Sequence, residues 1–215
     1  MALLFYSKKF IYQVFIIDDQ GSAESIIKYD LQNISNDRTL DYISRTIFFD
    51  GSEKDFKKTL EIKIDDKSYH WDDLESHDSE IISSRDFVNK AILKIPIIED
   101  FKPKDTINIE IKFITNNEYQ NAFKNTNPST CSVTCPYPID KIIMEFKTNL
   151  KDIHFYDRGY EINIESIDFQ DYVEQNRFNL NTNLRPQGRT TNKLIWEFDN
   201  PKVGNCYTLK FDCTK

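Results

Sequence analysis

An all-β fold, an antiparallel sandwich of two packed sheets, is what this sequence predicts, and three observations carry that prediction. The first is strict alternation of apolar and polar residues. From residue 106 onward Ile107, Ile109, Ile111 and Phe113 fall on one face and Asn108, Glu110 and Lys112 on the other, as in a half-buried strand. The same period of two returns at Leu60, Ile62 and Ile64; at Ile142, Met144 and Phe146; at Tyr160, Ile162 and Ile164; and at Tyr207, Leu209 and Phe211. The second is regular spacing of these short runs between turn signals, the rhythm of a sandwich or barrel of roughly ten strands. The third is the lack of any alternation of strands with long helical patterns, which disfavours doubly wound α/β folds.

Taken in order, residues 3–17 read as a strand buried on both faces, with Phe10, Tyr12, Val14 and Ile16 alternating with Ile11, Gln13, Phe15 and Ile17. A turn at 18–22, rich in acidic residues and Gly, leads to a second hairpin arm at 25–34 with Ile27, Tyr29 and Leu31 on one face. After a polar loop at 33–38, residues 40–49 run into a turn at Asp50, Gly51 and Ser52. Strands at 59–65, 79–84 and 88–95 follow. Pro96 and Pro103 are expected to bracket an extended connection, because proline cannot donate to a central ladder. Residues 116–129 change character, with seven Asn, Gln or Thr before Pro128. Tyr119, Ala122 and Phe123 have helical spacing there, and this is the boundary if residues 1–215 hold two subdomains instead of the single domain expected. A second short helix is expected at 169–176, where Tyr172 and Val173 lie one turn from Phe169. Strands at 191–198 and 206–213, joined by a turn at 200–205, complete the chain.

A chain of 215 residues buries roughly 70 % of the surface that its unfolded form exposes, so neither a disulfide nor a metal is required for folding. Sixteen Phe and eleven Tyr supply the core, since aromatic side chains suit pleated, half-buried surfaces. The net charge of -7 argues against general nucleic-acid binding, which needs a basic face. Lys8 with Lys9, Lys54 with Lys57 and Lys58, and Arg185 with Arg189 are the local basic candidates, read as solvated strand ends and turns. Lys8 and Lys9 interrupt the first apolar run well short of a membrane span, and the charge order is not that of a secretory signal. A cytoplasmic location without a membrane span is the expectation.

The four cysteines leave several pairings open. Cys206 and Cys213 point to opposite faces of one strand and cannot pair within it. Cys131 and Cys135 share a face but are too far apart along a strand, unless residues 132–134 turn; a bridge from either to Cys206 also stays open. Their spacings are not those of zinc knuckles. Four separate thiols, mostly buried, are expected.

Candidate chemistry is sparse. The five glycines lie in predicted turns, and none builds a phosphate-cradling loop. No G-x-S-x-G or H-E-x-x-H occurs. Residues 65–80 gather Asp65, Asp66, Asp72, Asp73, Glu75, Asp78 and Glu80 with His70 and His77, a set able to hold a divalent cation and activate water. The spacing matches no calcium loop, and a solvated acidic segment anchored by Tyr69, Trp71 and Leu74 is expected instead. His154, beside Asp152, Tyr156, Asp157 and Arg158, reads as a strand histidine bonded to a neighbour. For a small anion the preferred site is the loop holding Arg185, Pro186, Gln187, Gly188, Arg189, Thr190 and Thr191. Its two guanidiniums fork onto phosphate or carboxylate, its hydroxyls add donors, and Trp196 or Tyr207 offers a stacking surface.

The ending Leu194, Ile195, Trp196, Glu197 and Phe198, followed by Asn200, Pro201, Gly204 and Tyr207 to Leu209, resembles β-strand-rich modules of uncharacterised bacterial proteins. Some of those accompany defence systems that use nucleotide second messengers. The resemblance implies bacterial defence or signalling and carries over no site residue. The leading expectation is a non-catalytic, cofactor-free module that recognises a protein partner through a sheet edge or a small anion through its end loops. A self-assembling viral or filament subunit and a metal-dependent hydrolase using residues 65–80 are the alternatives.

Overall fold

The computed structural model describes residues 4–49, 51–83, 89–123, 129–150, 153–155, 160–163 and 192–213. Its first strands come from the alternation already noted. β1 (Phe5–Ile16) and β2 (Ala23–Asn33) form a hairpin whose turn holds Gly21 at φ +82°. A Cβ on Gly21 would lie 2.4 Å from the Tyr119 carbonyl carbon, so both the backbone angle and the close approach require glycine. β8 (Thr106–Thr115) pairs with β2, β4 (Glu61–Ile64) with β8, and β5 (Lys67–His70) with β4, all antiparallel. On the other side of β1 lies β10 (Ile139–Thr148), and β13 (Lys193–Asp199) pairs antiparallel with it. These seven strands form one sheet in the order β13-β10-β1-β2-β8-β4-β5.

One face of that sheet carries the core. Phe10, Tyr12, Val14 and Ile16 line up with Ile27 and Tyr29, with Ile109, Ile111 and Phe113, and with Ile142, Met144 and Phe146. Each such side chain contributes about 1.5–3 kcal/mol relative to exposure. The opposite face carries cross-strand ion pairs, including Lys28 with Glu110 at 2.7 Å and Lys112 with Glu24 at 2.6 Å. Exposed pairs of this kind add at most about 1 kcal/mol each. β1 is thus buried on its Phe10 face and half-buried on its Ile11 face.

Two smaller sheets cover the apolar face side by side. β3 (Leu40–Phe49), β7 (Asn89–Phe101) and β6 (Glu80–Ser83) make a three-stranded antiparallel sheet with β7 in the middle. In the other, β14 (Asn205–Cys213) pairs on one side with β9 (Ser129–Thr134) and on the other with β11 (Ile153–Phe155) and β12 (Tyr160–Asn163). Aromatic contacts mark the packing. Tyr119, Phe146 and Phe211 form one cluster, with Tyr119 to Phe211 at 5.3 Å, and Phe56 joins Phe49 at 4.1 Å and Phe113 at 5.1 Å in another.

Several expectations change here. The architecture is mainly β and mainly antiparallel, but β1 and β10 run parallel, so the large sheet is mixed. The described residues hold fourteen strands in three sheets, because the second layer is divided. Pro96 lies inside β7, not in a connection. It is tolerated because β6 pairs only with residues 89–92 of β7, leaving one edge of the strand open at Pro96, and because the β3 register shifts between Leu40 and Tyr42, opposite this point. α1 (Glu53–Thr59) was not expected: Phe56 is its one buried residue, so no helical repeat shows. The Ser52 hydroxyl accepts from the Asp55 N–H, and Glu53 and Asp55 precede Lys57 and Lys58, which suits the helix ends. α2 (Trp71–Glu75) buries Trp71 and Leu74, and Tyr69 is buried in β5 as anticipated. α3 (Gln120–Phe123) forms where Tyr119, Ala122 and Phe123 indicated a helix. The helix expected at 169–176 lies outside the described residues.

Candidate functional site

The site begins with an exception in a regular strand. Ile43, Arg45 and Ile47 share the inward face of β3, so strand geometry carries a guanidinium toward the core with two isoleucines. Beneath it the register places Phe10 of β1 opposite Tyr29 of β2, and their rings stack with centroids 5.5 Å apart at 26°. The Arg45 guanidinium carbon lies 5.0 Å from the Phe10 ring centroid and 5.6 Å from that of Tyr29. Both distances suit a cation over an aromatic face.

A third group arrives from the connection between β9 and β10. Tyr137 stands between Pro136 and Pro138, and its ring meets Phe5 edge-on at 6.1 Å. The Ser7 N–H donates to the Pro138 carbonyl at 3.0 Å, fixing this connection to the start of β1. Buried Cys135 anchors its other end: the thiol donates to the Tyr137 carbonyl at 3.2 Å, and the Gly204 N–H donates to the Cys135 carbonyl at 2.8 Å.

Four buried side-chain nitrogen or oxygen atoms lack a hydrogen-bond partner among the described residues. Three belong to this cluster: the Tyr29 hydroxyl, the Arg45 Nε and the Tyr137 hydroxyl; the fourth is Trp71 Nε1. Tyr29 is only 5 % exposed. An unmade bond of this kind costs about 1–3 kcal/mol, so three in one place is an unusual expense for the fold. Arg45 acts electrostatically on both phenols, and Tyr29 acts on Tyr137. Burial raises both phenols, more strongly than the guanidinium lowers them, so they remain neutral O–H donors at physiological pH. The cluster therefore offers one fixed positive charge and several donors, and its two phenols stay protonated.

Asp30, the neighbour of Tyr29, is held apart in a bulge of β1. Its carboxylate accepts from the Ser7 hydroxyl at 3.1 Å and from the backbone N–H groups of Lys8 and Lys9 at 3.2 and 3.0 Å. This gives the carboxylate partners of its own. It also leaves a negative charge near Tyr137.

The anticipated anion loop is not brought into this picture, because Arg185, Arg189, Thr190 and Thr191 lie outside the described residues. Trp196 is half-buried in β13 and packs against Phe198, with centroids 4.3 Å apart; Phe198 in turn meets Tyr207 at 4.5 Å. In the acidic segment the side chains have local work. Asp65 accepts from Asn108, Asp73 accepts from the His70 N–H at 2.8 Å, Glu75 pairs with Lys57, and Asp78 pairs with Lys94. Among the described residues no three His, Cys, Asp or Glu side chains converge to hold a metal ion. Cys131, Cys135 and Cys206 are buried free thiols, and burial pushes Cys131 up to about 12 and Cys135 to about 11. His154 lies in β11 opposite Asp212.

No protein-family model matches the sequence, and no curated protein matches it. Solved structures include distant neighbours. A Legionella pneumophila protein assigned as nutrient-binding has 11 % identity and a TM-score of 0.47, the match covering 98 % of this chain and 67 % of that one. Yeast leukotriene A4 hydrolase has 10 % identity and a TM-score of 0.41, covering 97 % of this chain and 29 % of that one. A Parabacteroides distasonis protein assigned as a protease has 9 % identity and a TM-score of 0.41, covering 97 % and 40 %. The chain thus spans well under half of either hydrolase chain, and likenesses at this level carry no argument. No helix among the described residues is long and apolar enough to cross a membrane, which says nothing of a β-barrel.

Proposed function

We propose that the protein is a non-catalytic binding module that takes a small anion between its large sheet and the two smaller sheets, at Arg45, Tyr29 and Tyr137. The observation that carries this reading is that the Arg45 Nε and the hydroxyls of two tyrosines that feel its charge are all buried without partners among the described residues. An anion there supplies acceptors to donors that the fold leaves unmade, and charge-assisted hydrogen bonds are the stronger kind. Binding, not turnover, fits a cluster of protonated phenols and a permanent cation.

Replacing Arg45 by Met keeps the length and apolar stem of the side chain while removing its charge. Among acetate, formate, phosphate and sulfate, at least one anion is expected to raise the melting temperature of the wild-type protein and leave that of R45M unchanged. An equal rise in both proteins would overturn this placement. The double substitution of Arg185 and Arg189 by Ala, run in the same assay, tests the end-loop placement that the sequence favours.

A protein partner is the second reading, favoured by the outer face of the three-stranded sheet. Tyr42, Ile82 and Phe48 are 55 %, 47 % and 41 % exposed there, and Phe48 and Ile82 flank Lys90 in one cross-strand row. Apolar side chains gathered on one sheet face suit a protein contact. Sedimentation across a wide concentration range separates self-association from recognition of a different partner.

A further inference from the structure

We infer that the protein associates with a second copy of itself through the β13 edge of its seven-stranded sheet, the two β13 strands pairing antiparallel about a twofold axis at Trp196. Three observations carry this inference, and none involves Arg45, Tyr29 or Tyr137.

The first is the direction of the backbone groups. Among the described residues β13 ends the sheet and pairs with β10 alone. The Thr148 N–H donates to the Asn192 carbonyl at 3.0 Å, the Asn200 N–H donates to the Asp140 carbonyl at 2.6 Å, and the register between them has no shift. Hydrogen-bonded pairs alternate along an antiparallel ladder, so residues 192, 194, 196, 198 and 200 direct their backbone groups to β10. Lys193, Ile195, Glu197 and Asp199 turn theirs the other way. An edge of this kind is a template for a further strand.

The second is exposure. Ile195 is 49 % exposed and the Asp199 side chain 71 %, against 36 % for Lys141 and 12 % for Glu145 on the adjacent β10. The outer face of the sheet therefore opens to solvent at β13.

The third is self-complementarity. Two copies keep their apolar faces on the same side of a joined sheet only when the twofold axis passes through a residue. An axis at Trp196 sets Lys193 of each copy opposite Asp199 of the other, and Ile195 opposite Glu197, and it uses the whole of β13. These are the residues whose backbone groups point away from β10, and together they supply about eight hydrogen bonds. Lys193 then stands between Glu145 of its own chain, 3.0 Å away, and Asp199 of the other copy. Asp199 stands between Lys141 of its own chain, 3.3 Å away, and Lys193 of the other copy. Signs alternate across the junction. An axis at Ile195 would carry Asp199 past the start of the strand, and an axis at Glu197 would set two like charges face to face.

Analytical ultracentrifugation of the full chain from about 1 μM to about 1 mM, the range that small interfaces occupy, tests the inference. A reversible dimer is expected. Ile195→Pro removes an N–H that β10 does not use and blocks the approach of a second strand. It is expected to weaken the dimer about tenfold or more while the circular dichroism spectrum stays that of wild type. Asp199→Lys sets like charges against each other at both ends and is expected to weaken the dimer about tenfold, and adding Lys193→Asp to it restores the affinity. Glu197→Lys is expected to change it about threefold or less. A chain that stays monomeric throughout, or a dimer that Ile195→Pro and Asp199→Lys leave unchanged, would overturn the inference. A dimer weakened by Glu197→Lys and not by Asp199→Lys would overturn the axis at Trp196.

Discussion

Two polar clusters occupy the same apolar face of the seven-stranded sheet, one under each of the smaller sheets. Under β9 and β14, the Tyr12 hydroxyl lies 3.4 Å from that of Ser25, and Tyr12, Tyr119 and Cys131 are near enough to act on one another's ionisation. Under β3, Tyr29, Arg45 and Tyr137 hold three buried atoms without a partner among the described residues. Both clusters are deep and rich in tyrosine. They differ in that the Tyr12 hydroxyl of the first has a hydroxyl neighbour in Ser25, whereas the Tyr29 and Tyr137 hydroxyls and the Arg45 Nε of the second have no partner among the described residues. A closed cluster of hydroxyls and a thiol specifies packing. Donors left open around a cation indicate where something else completes the set.

The largest expected effect breaks the closed side. Tyr119→Ala removes a ring that packs on Phe146 at 5.8 Å and Phe211 at 5.3 Å. Chemical denaturation should show a loss of about 3–5 kcal/mol, typical of truncating a buried aromatic residue. Tyr12→Phe is a finer probe, because it keeps the ring and leaves Ser25 without that partner. A loss of about 1–3 kcal/mol is expected in the same measurement. No loss would mean that the Tyr12 hydroxyl is as unpartnered as that of Tyr29, and the contrast between the clusters would fail.

Much of this arrangement is legible in the sequence. Alternation located the core face of β2, β8 and β10, since period-two patterns survive any pairing order, whereas β1 read as buried on both faces and is half-buried on its Ile11 face. It did not show that β1 and β10 are parallel, because which strands become neighbours depends on contacts far apart in the chain. α1 escaped notice because only Phe56 faces inward, although Ser52 three residues before Asp55 was a usable capping signal. Arg45 was missed, although a charged residue between Ile43 and Ile47 at alternate positions was a usable signal. Tyr29 looked like an ordinary core residue between Ile27 and Leu31. Tyr137, in a segment bounded by two prolines, has no periodic pattern, so its approach to Arg45 exists only in the folded chain. The loop at 185–191 drew attention because arginines near Gly and Pro are conspicuous, while a single inward arginine is not.

The most direct test is the melting temperature of the double variant Tyr29→Phe with Tyr137→Phe, compared with wild type in buffer alone and in buffer with whichever anion stabilises wild type but not R45M. In buffer alone the variant should melt no lower than wild type, because it loses hydroxyls that have no partner among the described residues. With the anion the wild type should gain stability and the variant should gain little. A variant that melts well below wild type in buffer alone, or that gains as much from the anion, would contradict the account.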